Sequence, residues 1–483
     1  MLPLLLLLTL LASVVFWLHQ TGTRTQPRRM SVFSEILAHE TGSFPKKTEC
    51  PPTTIHGAIF LEKLPPLESL IALFQEKIKS EERFMSTIAF DFKRGKYDFV
   101  PAKGDIDFHG HHIIQATVSD EDGIRAYVEN TFHRTWKTEI AEGRPLWYFH
   151  LIENTGGLSA IVLELHHAIG DGMSLVLFFS TLYTDKDGQN LPTPKATKSI
   201  SKSKTRVNPY YAAAVIVRAF FKIVLGSVIM EDTHTLIKTP HQGYVYDRGV
   251  RKIIQFPPMS LEAVKDIKNA VGCSVNDIMT SVLGGALRRY LRHRNDPFID
   301  YPLLQIRALM PYAFPRRAAS PDQPQSILKN GWTLISVPLS VRATPTATAR
   351  AKETQATMDM IKLSGEPYIA STLQDLVYNV AGYDVAAQIQ ADFVFRHTMT
   401  FTNVPAFDKN PYICGERILH VQPYVCNAVP QMSIMSCAGG LYGNFVVNPE
   451  TFVEAELLGQ FVVKELEELA KENGVTTPIL LQV

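Results

Sequence analysis

The sequence predicts an α/β fold, because apolar runs typical of buried strands alternate with segments whose apolar residues recur at helical spacing. The chain has 483 residues, of which 46% are hydrophobic and 20% charged, a globular composition with enough material for two domains. The net charge of +1 gives no overall field that would attract nucleic acid, so we expect no nucleic-acid partner. The five cysteines lack the spacing of a disulfide framework or a zinc site.

An apolar segment at the N-terminus is the first element of the chain. Residues 2–18 are almost entirely apolar, and a helix of this length is about 25 Å long, near the lower limit for crossing a bilayer. Arg24, Arg28 and Arg29 follow the segment and no basic residue precedes it, so the positive-inside rule places the rest of the chain in the cytosol. We therefore expect residues 1–20 to be a transmembrane anchor. A cleavable signal peptide is the alternative, although the segment lacks a basic n-region and a small-x-small cleavage site.

Residues 52–190 are predicted to form the first half of the folded body. Ile55–Leu61 has the apolar pattern of a buried strand, and Pro66 marks the start of a helix. The apolar residues of that helix are spaced for one face and are Leu67, Leu70, Ile71, Phe74 and Ile78. A second helix is predicted for residues 120–136.

A histidine cluster precedes this second helix. His109, His111 and His112 lie close together in sequence and resemble a set of metal ligands. In an extended strand, however, neighbouring residues point to opposite faces, so only some of these side chains would converge. We therefore expect no metal site.

A pair of histidines follows the apolar run at residues 160–165. The stretch His166-His167-Ala-Ile-Gly-Asp171-Gly172 has the form His-His-x-x-x-Asp-Gly, and residues 173–183 are predicted to form the next helix. The histidines therefore lie on a loop between a strand and a helix, where a side chain is held rigidly and can face a cavity. A neutral imidazole near pH 7 can accept a proton from a hydroxyl group, and no serine-nucleophile or metal signature accompanies the pair. The alternative is that the histidines merely end the strand and Asp171-Gly172 supplies a turn.

Residues 191–245 are predicted to connect the two halves. Residues 194–206 are basic and rich in Ser and Thr, which is typical of a flexible linker, although their charge also suits anionic lipid or other phosphate groups. The apolar segment 210–230 carries Arg218 and Lys222 on one helical face. Two charges within a span cost about 2.5–3.5 kcal/mol each, which disfavours a membrane crossing. Two interpretations stay open: an amphipathic helix at a membrane surface, or a helix packed on the body with its basic residues in solvent.

Residues 246–483 are predicted to form the second half. A helix begins at Ser260 and ends near Gly272. Ser274 then resembles an N-cap, and Asp277 three residues later completes a pattern like a capping box for the following helix.

Five segments in order resemble the wax ester synthase/diacylglycerol acyltransferase family, which lies within the superfamily of chloramphenicol acetyltransferase and peptide-synthetase condensation domains. These segments are Pro145-Leu-Trp147, His166–Gly172, Ser274-Val-Asn-Asp277, Arg307-Ala-Leu-Met-Pro311 and Thr402-Asn-Val-Pro405. One departure is Ala406, where the family usually has glycine. The Asp-Phe-Gly-Trp-Gly motif of the plant acyltransferase branch is absent, which argues against that branch.

The resemblance implies a fold and an activity. It implies two chloramphenicol-acetyltransferase-like subdomains around a central tunnel, with the histidine loop between them and an N-terminal membrane helix in front. Acyl-CoA would enter from one side and the acceptor alcohol from the other. The expected enzyme is an acyl-CoA-dependent O-acyltransferase that esterifies long-chain alcohols to wax esters, diacylglycerol to triacylglycerol, or both. Acyl-CoA is its co-substrate and no bound cofactor is expected. Together with the anchor, this predicts a membrane-bound protein at the endoplasmic reticulum whose catalytic body faces the cytosol.

The resemblance also assigns roles to residues of the motifs. His167 is implied to be the general base that deprotonates the alcohol, and His166 to support the loop. In the superfamily the aspartate that corresponds to Asp171 usually holds the loop through an arginine, and we expect Gly172 to allow a tight turn. The turn that carries Asn276 and Asp277 is implied to face the active site, with Asn276 positioning or polarising the substrate.

Two other functions remain open from the sequence. One is a condensation-type acyltransferase that takes its acyl group from a carrier protein, although no carrier domain is visible in this chain. The other is a noncatalytic lipid-binding protein derived from the fold, against which the intact His-His-x-x-x-Asp-Gly stretch argues.

Overall fold

A computed structural model describes residues 30, 34–35, 38, 54–93, 95–191, 209–238, 250–314 and 327–481. The predicted anchor at residues 1–20 and the basic linker at residues 194–206 lie outside the described residues. The described part has a mixed α/β architecture, as the alternation of strands and helices predicts.

The strands of the described residues form a six-stranded sheet, a seven-stranded sheet and a two-stranded hairpin. In chain order they are β1 (Thr54–Leu61), β2 (Ser86–Asp91), β3 (Lys96–Pro101), β4 (Ile113–Val118), β5 (Trp147–Asn154), β6 (Ser159–His166), β7 (Lys252–Gln255), β8 (Met259–Ser260), β9 (Arg307–Ala313), β10 (Trp332–Pro338), β11 (Met399–Phe407), β12 (Tyr412–Ile413), β13 (Glu416–Val425), β14 (Gln431–Cys437) and β15 (Gly440–Val447).

The helices of the described residues pack on the sheets and on one another. In chain order they are α1 (Leu67–Lys79), α2 (Glu121–Thr131), α3 (Lys137–Glu142), α4 (Gly172–Ser180), α5 (Pro209–Val228), α6 (Leu261–Val271), α7 (Val275–His293), α8 (Ala347–Ser364), α9 (Glu366–Phe395) and α10 (Leu457–Glu472). Helix α9 is broken at Gly382, whose φ of 81° is non-helical.

The first sheet has the strand order β12-β13-β1-β6-β5-β4, and of its pairs only β4 with β5 is parallel. Because side chains point alternately to the two faces of a sheet, β1 contributes residues to a hydrophobic core on each face. Ile59 packs with α1 through Phe74, whereas Phe60 packs with α2 through Val128. Both faces of the sheet are therefore covered, which explains why β1 and β6 are apolar almost throughout.

Two strands of this first sheet come from the second half of the chain. Strand β13 pairs along nearly the whole of β1, with Ile55 opposite Val425 and Ile59 opposite Val421. The short strand β12 then extends the edge next to β13. Residues 412–425 thus cross from the second half to complete the sheet that carries the histidine loop.

The second sheet has the order β10-β9-β11-β14-β15-β7, with β8 beside β15. Helix α7 lies against it and is buried along most of its length, with Ile278 and Val282 in the core together with Phe401 and Phe445 of the sheet. A helix that is apolar on most sides is stable only inside a core, and α10 contributes Leu466 to the same cluster.

Two predicted elements differ from the structure. The helix predicted for residues 120–136 ends at Thr131, and α3 begins only at Lys137. The Thr131 hydroxyl donates to the Val128 carbonyl oxygen at 2.7 Å and also contacts His56 Nε2 at 2.8 Å. This side chain competes for the backbone of the last helical turn and ties it to the sheet, so the helix stops.

The histidine cluster is the second difference, because Phe108–His112 forms a single π-helical turn and not an extended strand. His112 Nδ1 lies 2.8 Å from the Trp147 carbonyl oxygen, and His111 contacts Arg144 at 2.8 Å. Among the described residues no three His, Cys, Asp or Glu side chains are grouped as metal ligands.

Helix α5 packs on the body through one face. The Lys222 ammonium group donates to the Glu366 carboxylate at 3.0 Å and to the Ser336 carbonyl oxygen at 2.8 Å, and Ala219 is buried. Lys222 is thus paired with the body, although its side chain stays 28% exposed. Within the described ranges, no helix on its own has the length and apolar character to cross a bilayer, and only α6 and α7, bent by 97°, meet that test as a pair.

A buried ion pair joins the end of the α5 segment to the second sheet. The Asp232 carboxylate accepts from Arg307 Nε at 2.6 Å and from the Arg307 backbone N–H at 2.8 Å. It also accepts from the backbone N–H and the hydroxyl of Thr398, at 2.8 and 2.7 Å. One carboxylate therefore fixes the starts of β9 and β11 relative to each other.

The Asp232→Ala substitution should lower the free energy of unfolding by about 3–5 kcal/mol, because it leaves the buried Arg307 guanidinium without its counter-ion. The matched control is Glu416→Ala, which removes the ion pair of Glu416 with Lys63, whose side chain is 73% exposed. That change should cost about 0–1 kcal/mol. Chemical denaturation of both variants measures the difference, and equal losses would show that the buried pair contributes no more than an exposed one.

Candidate active site

The first histidine of the pair ends β6 and is fully buried. His166 lies opposite Thr54 of β1, and its Nδ1 accepts a hydrogen bond from the Ala168 N–H at 3.0 Å. Burial, helped by the neighbouring His167, lowers the pKa of His166 to about 3. His166 is therefore a neutral ring whose acceptor nitrogen shapes the loop, which agrees with the supporting role predicted for it.

His167 is the first residue beyond the strand, and its side chain is only half-buried. Its ring lies beside the indole of Trp332, with centroids 5.4 Å apart and planes inclined by 32°. Nδ1 is enclosed and has no hydrogen-bond partner among the described residues. Burial lowers the pKa of His167, an effect opposed by its own carbonyl, the Asp171 carboxylate and the Asn330 amide. The imidazole is consequently neutral at pH 7 and able to accept a proton.

Asp171 is the N-cap of α4 and also holds the loop to the second half of the chain. Its Oδ1 accepts from the Ser174 N–H at 2.8 Å, and its Oδ2 accepts from the Gly331 N–H at 2.9 Å. The Asp171 N–H in turn donates to the Lys329 carbonyl oxygen at 3.1 Å. The arginine partner that the family resemblance implies for Asp171 stays a prediction, and the contacts described here come from backbone N–H groups of both halves of the chain.

The glycines of the loop differ from the prediction. The backbone at Gly172 has no positive φ, and a Cβ there would lie 3.7 Å from Val404 Cγ2, an ordinary contact. Neither the backbone conformation nor the space at Gly172 therefore requires glycine. Gly170 is the restricted position, because a Cβ would meet Ser174 Oγ at 2.7 Å.

A short stretch of the second half, residues 329–332, holds the histidine loop, and we name it the clamp segment. Asn330 Nδ2 donates to the carbonyl oxygens of His167 and Ala168 at 2.8 and 3.0 Å. Ser174 Oγ donates to the Lys329 carbonyl oxygen at 3.0 Å. From the first half, Arg83 donates to the Ile169 carbonyl oxygen at 3.0 Å. The loop carbonyls are thus satisfied from both halves of the chain.

In the turn at residues 274–277, Asp277 caps a helix and Asn276 contacts a neighbouring strand. Asp277 is buried and forms a capping box with Ser274, in which Oδ2 accepts the Ser274 N–H at 2.8 Å and the Asp277 N–H donates to Ser274 Oγ at 3.1 Å. Asn276 is exposed, and its Oδ1 accepts from Asn403 Nδ2 at 2.6 Å. The structure thus connects Asn276, and not Asp277, to the Thr-Asn-Val-Pro strand that also touches Gly172.

The two remaining motifs, Pro145-Leu-Trp147 and Arg307-Ala-Leu-Met-Pro311, lie next to the histidine loop and in the second sheet. The His166 N–H donates to the Leu146 carbonyl oxygen at 2.9 Å, and Trp147 Nε1 donates to the Phe84 carbonyl oxygen at 2.8 Å. Strand β9, which begins at Arg307, lies between β10 and β11, so it connects the strand after the clamp segment to the strand that carries Val404.

Sequence models of one family match two parts of the chain. Residues 101–243 match the wax ester synthase/diacylglycerol acyltransferase catalytic domain, and residues 329–470 match the C-terminal domain of the same family. The chain belongs to the wax ester synthase/diacylglycerol acyltransferase family. The first match contains the histidine loop, and the second begins at the clamp segment.

Individual members of the family are distant in sequence but similar in fold. The chain is 25% identical to wax ester synthase/diacylglycerol acyltransferase 3 of Arabidopsis thaliana over 68% of this chain and 71% of that protein. It resembles the solved structure of the wax ester synthase/diacylglycerol acyltransferase from Marinobacter aquaeolei VT8, with 16% identity, a TM-score of 0.58 and coverage of 88% of this chain and 96% of that one. The first condensation domain of the calcium-dependent antibiotic synthetase gives a TM-score of 0.59 at 16% identity, covering 94% and 99%. The fold is therefore shared with condensation domains, as the five motifs predict.

Sequence reasoning missed the clamp segment and Arg83. Asn330-Gly331-Trp332 has no motif form and lies more than 150 positions from the histidines in the printed sequence. Its only signal is an amide and an indole at the start of a strand, a pattern that does not indicate a functional site. Arg83 lies in a polar turn after a helix and is equally unmarked, although its guanidinium covers the Phe99 ring at 4.9 Å.

Proposed function

We propose that this chain is an O-acyltransferase that moves a fatty acyl group from coenzyme A to the hydroxyl of a long-chain alcohol or of diacylglycerol. The observation that carries the proposal is His167. It is a half-buried, neutral imidazole on a loop held from both halves of the chain, within a family defined by wax ester and diacylglycerol acyl transfer. The products are a wax ester or a triacylglycerol.

The chemistry needs one base and no bound cofactor. Because Nδ1 of His167 is enclosed, we assign the reacting nitrogen as Nε2. It accepts the proton of the acceptor hydroxyl while the oxygen attacks the thioester carbonyl carbon. The tetrahedral intermediate then expels coenzyme A as a thiolate, which takes the proton from the imidazolium and leaves as a thiol. The ester bond replaces the thioester bond, and the imidazole returns to its neutral form. General-base action of this kind contributes typically about 10²–10⁴-fold.

The fold supports a second candidate, a condensation-type reaction with a carrier-protein thioester, because the likeness to a condensation domain is as high as that to the wax ester synthase. The family matches favour acyl-CoA over this donor.

The two candidates are separated by an assay of thiol release. Purified protein is given acyl-CoA or an acyl carrier protein thioester, each with long-chain alcohol or diacylglycerol, and the released thiol is measured. Thiol release with the carrier-protein thioester but not with acyl-CoA would select the second candidate. If neither donor releases thiol, a noncatalytic lipid-binding protein would be the remaining interpretation.

The His167→Ala variant should release thiol from acyl-CoA at least about 10²-fold more slowly than the wild type, because the base is lost while the fold remains. His166→Ala should lose less turnover per folded molecule and act mainly through stability, since His166 Nδ1 holds the Ala168 N–H. His293→Ala, at a surface histidine 46% exposed, is the neutral control. Turnover of His167→Ala close to that of the wild type would remove the proposed base.

The acid limb of kcat/KM should lie below pH 6.5, the ordinary pKa of histidine, because burial lowers the pKa of His167. The sign follows from the active form: the neutral base is lost only when pH falls through this lowered pKa. The Asp171 carboxylate raises the pKa of His167, so Asp171→Asn should move the limb to still lower pH. A limb above pH 6.5, or one that Asp171→Asn moves upward, would contradict this assignment.

We further propose that the body is held at a membrane, at the endoplasmic reticulum and facing the cytosol. Two features support this: the apolar segment at residues 1–20 with arginines after it, and the outer face of α5. That face exposes apolar side chains at i and i+4 spacing, at Phe220, Phe221, Val224 and Leu225. A helix that packs on the body with one face and exposes two phenylalanines on the other suits the boundary between lipid headgroups and acyl chains. The proposed lipid substrates reside in the same bilayer.

Removal of residues 1–30 should release much of the protein from the membrane fraction and leave α5 to provide the residual binding. In the truncated protein, Phe221→Asp should weaken sedimentation with phosphatidylcholine–phosphatidylserine vesicles by roughly tenfold or more, because burial of one Phe contributes about 1.5–3 kcal/mol. Phe92→Asp, at a hairpin residue 89% exposed, is the matched control. Equal binding by both variants would exclude α5 as the contact, and a cleaved N-terminus found by mass spectrometry would exclude the anchor.

A further inference from the structure

We propose that the clamp segment positions His167 for reaction: Asn330 fixes the backbone that carries the imidazole, and Trp332 fixes the plane of the ring. Both are positioning residues, since neither needs to touch the substrate. The proposal rests on the proposed function, because it concerns how His167 is positioned for acyl transfer. The position of the ring can nevertheless be measured without turnover.

Asn330 acts on the peptide unit that carries the base. Its side chain is 6% exposed, and its Nδ2 donates to the carbonyl oxygens of His167 and Ala168 at 2.8 and 3.0 Å. Arg83 also reaches the Ala168 carbonyl, at 3.3 Å, so the contact that Asn330 alone makes among the described residues is the one with His167. The His167 carbonyl and the imidazole are both attached to the same Cα, so a shift of this carbonyl also shifts the ring.

Trp332 determines which way the Asn330 amide faces. Its Nε1 donates to Asn330 Oδ1 at 3.4 Å, and an indole N–H can only donate. The amide oxygen is therefore turned toward Trp332, and the NH2 group toward the histidine loop. The same indole lies beside the His167 ring at 5.4 Å, so one side chain orients the amide and flanks the base. Asn330 and Trp332 act as a unit.

The clamp segment is itself fixed on both sides. The Gly331 N–H donates to Asp171 Oδ2 at 2.9 Å, and the Gly331 carbonyl oxygen accepts from the Phe314 N–H at 2.8 Å. Trp332 is the first residue of β10 and is paired with Ala313 of β9. A rigid sheet thus extends directly to the base, as a preorganised site requires, because misplacement by about 1 Å can cost 10²-fold in rate.

The test uses Asn330→Ala, Trp332→Ala and Trp332→Phe in the full chain. The matched control is Asn444→Ala, since Asn444 is buried like Asn330 and its Nδ2 donates to a backbone carbonyl oxygen outside the histidine loop, that of Pro423 at 3.0 Å. Thermal melting, kcat, KM for acyl-CoA and the pH profile of kcat/KM are measured for each variant. In protein labelled at histidine Cε1, NMR titration of the His167 signal, assigned with His167→Gln, reports the base without any turnover.

Asn330→Ala should lower kcat about tenfold or more with KM for acyl-CoA within roughly threefold, whereas Asn444→Ala should lower only the melting temperature. Trp332→Ala should move both the NMR titration and the acid limb of kcat/KM upward toward pH 6.5, because water gains access to the imidazole. Trp332→Phe, which keeps a ring beside His167, should restore most of the wild-type behaviour.

Three outcomes would overturn the proposal. A loss of melting temperature alone in Asn330→Ala, with kcat and the His167 signal unchanged as in Asn444→Ala, would make the clamp segment purely structural. A raised KM with unchanged kcat and pH profile in Trp332→Ala would make the indole a binding wall. If the wild type releases no thiol, the proposed function fails, and an unchanged His167 titration in both Asn330→Ala and Trp332→Ala then independently rejects the positioning.

Discussion

The hydrogen bonds between the histidine loop and the clamp segment are the constraint on which the site depends. The loop carries backbone N–H and carbonyl groups that find no partner within the loop, and such a group costs about 1–3 kcal/mol if it is buried without one. Asn330, Lys329 and Gly331 supply those partners across the chain. The two sheets are thereby joined at the point where His167 leaves β6. The position of His167 consequently depends on both halves together.

Burial explains how two adjacent histidines take different parts. His166 is enclosed at the end of a strand, and its Nδ1 accepts the Ala168 N–H, so this nitrogen holds the shape of the loop. His167 lies one residue further, where the strand has ended and the residue is only half-buried. Because successive residues of a strand point to opposite faces, the pair directs one ring into the core and the other toward the junction.

Local patterns in the sequence predicted what depends on neighbours along the chain. The strand before the histidines, the helix after Pro66 and the capping box of Ser274 with Asp277 all have short-range causes, and the structure contains each of them. The end of α2 at Thr131, the π-helical turn at Phe108–His112 and the role of Asn330 depend on partners far away in sequence, which periodicity does not reveal. The assignments of His167 and Asn276 to the reaction stay predictions, supported by the family and by the contacts around them.

The crossing of β13 into the first sheet has a consequence for how the chain is made. During synthesis, β1 and β6 emerge long before residues 416–425, so the edge of β1 that β13 will cover is unpaired while most of the polypeptide is still being added. Exposed apolar strand edges are templates for association with other chains, and pairings of such long sequence separation form slowly. A nascent chain of this protein therefore passes through a prolonged stage in which an aggregation-prone edge is open, and chaperone protection at that stage matters more here than for a protein whose halves close separately.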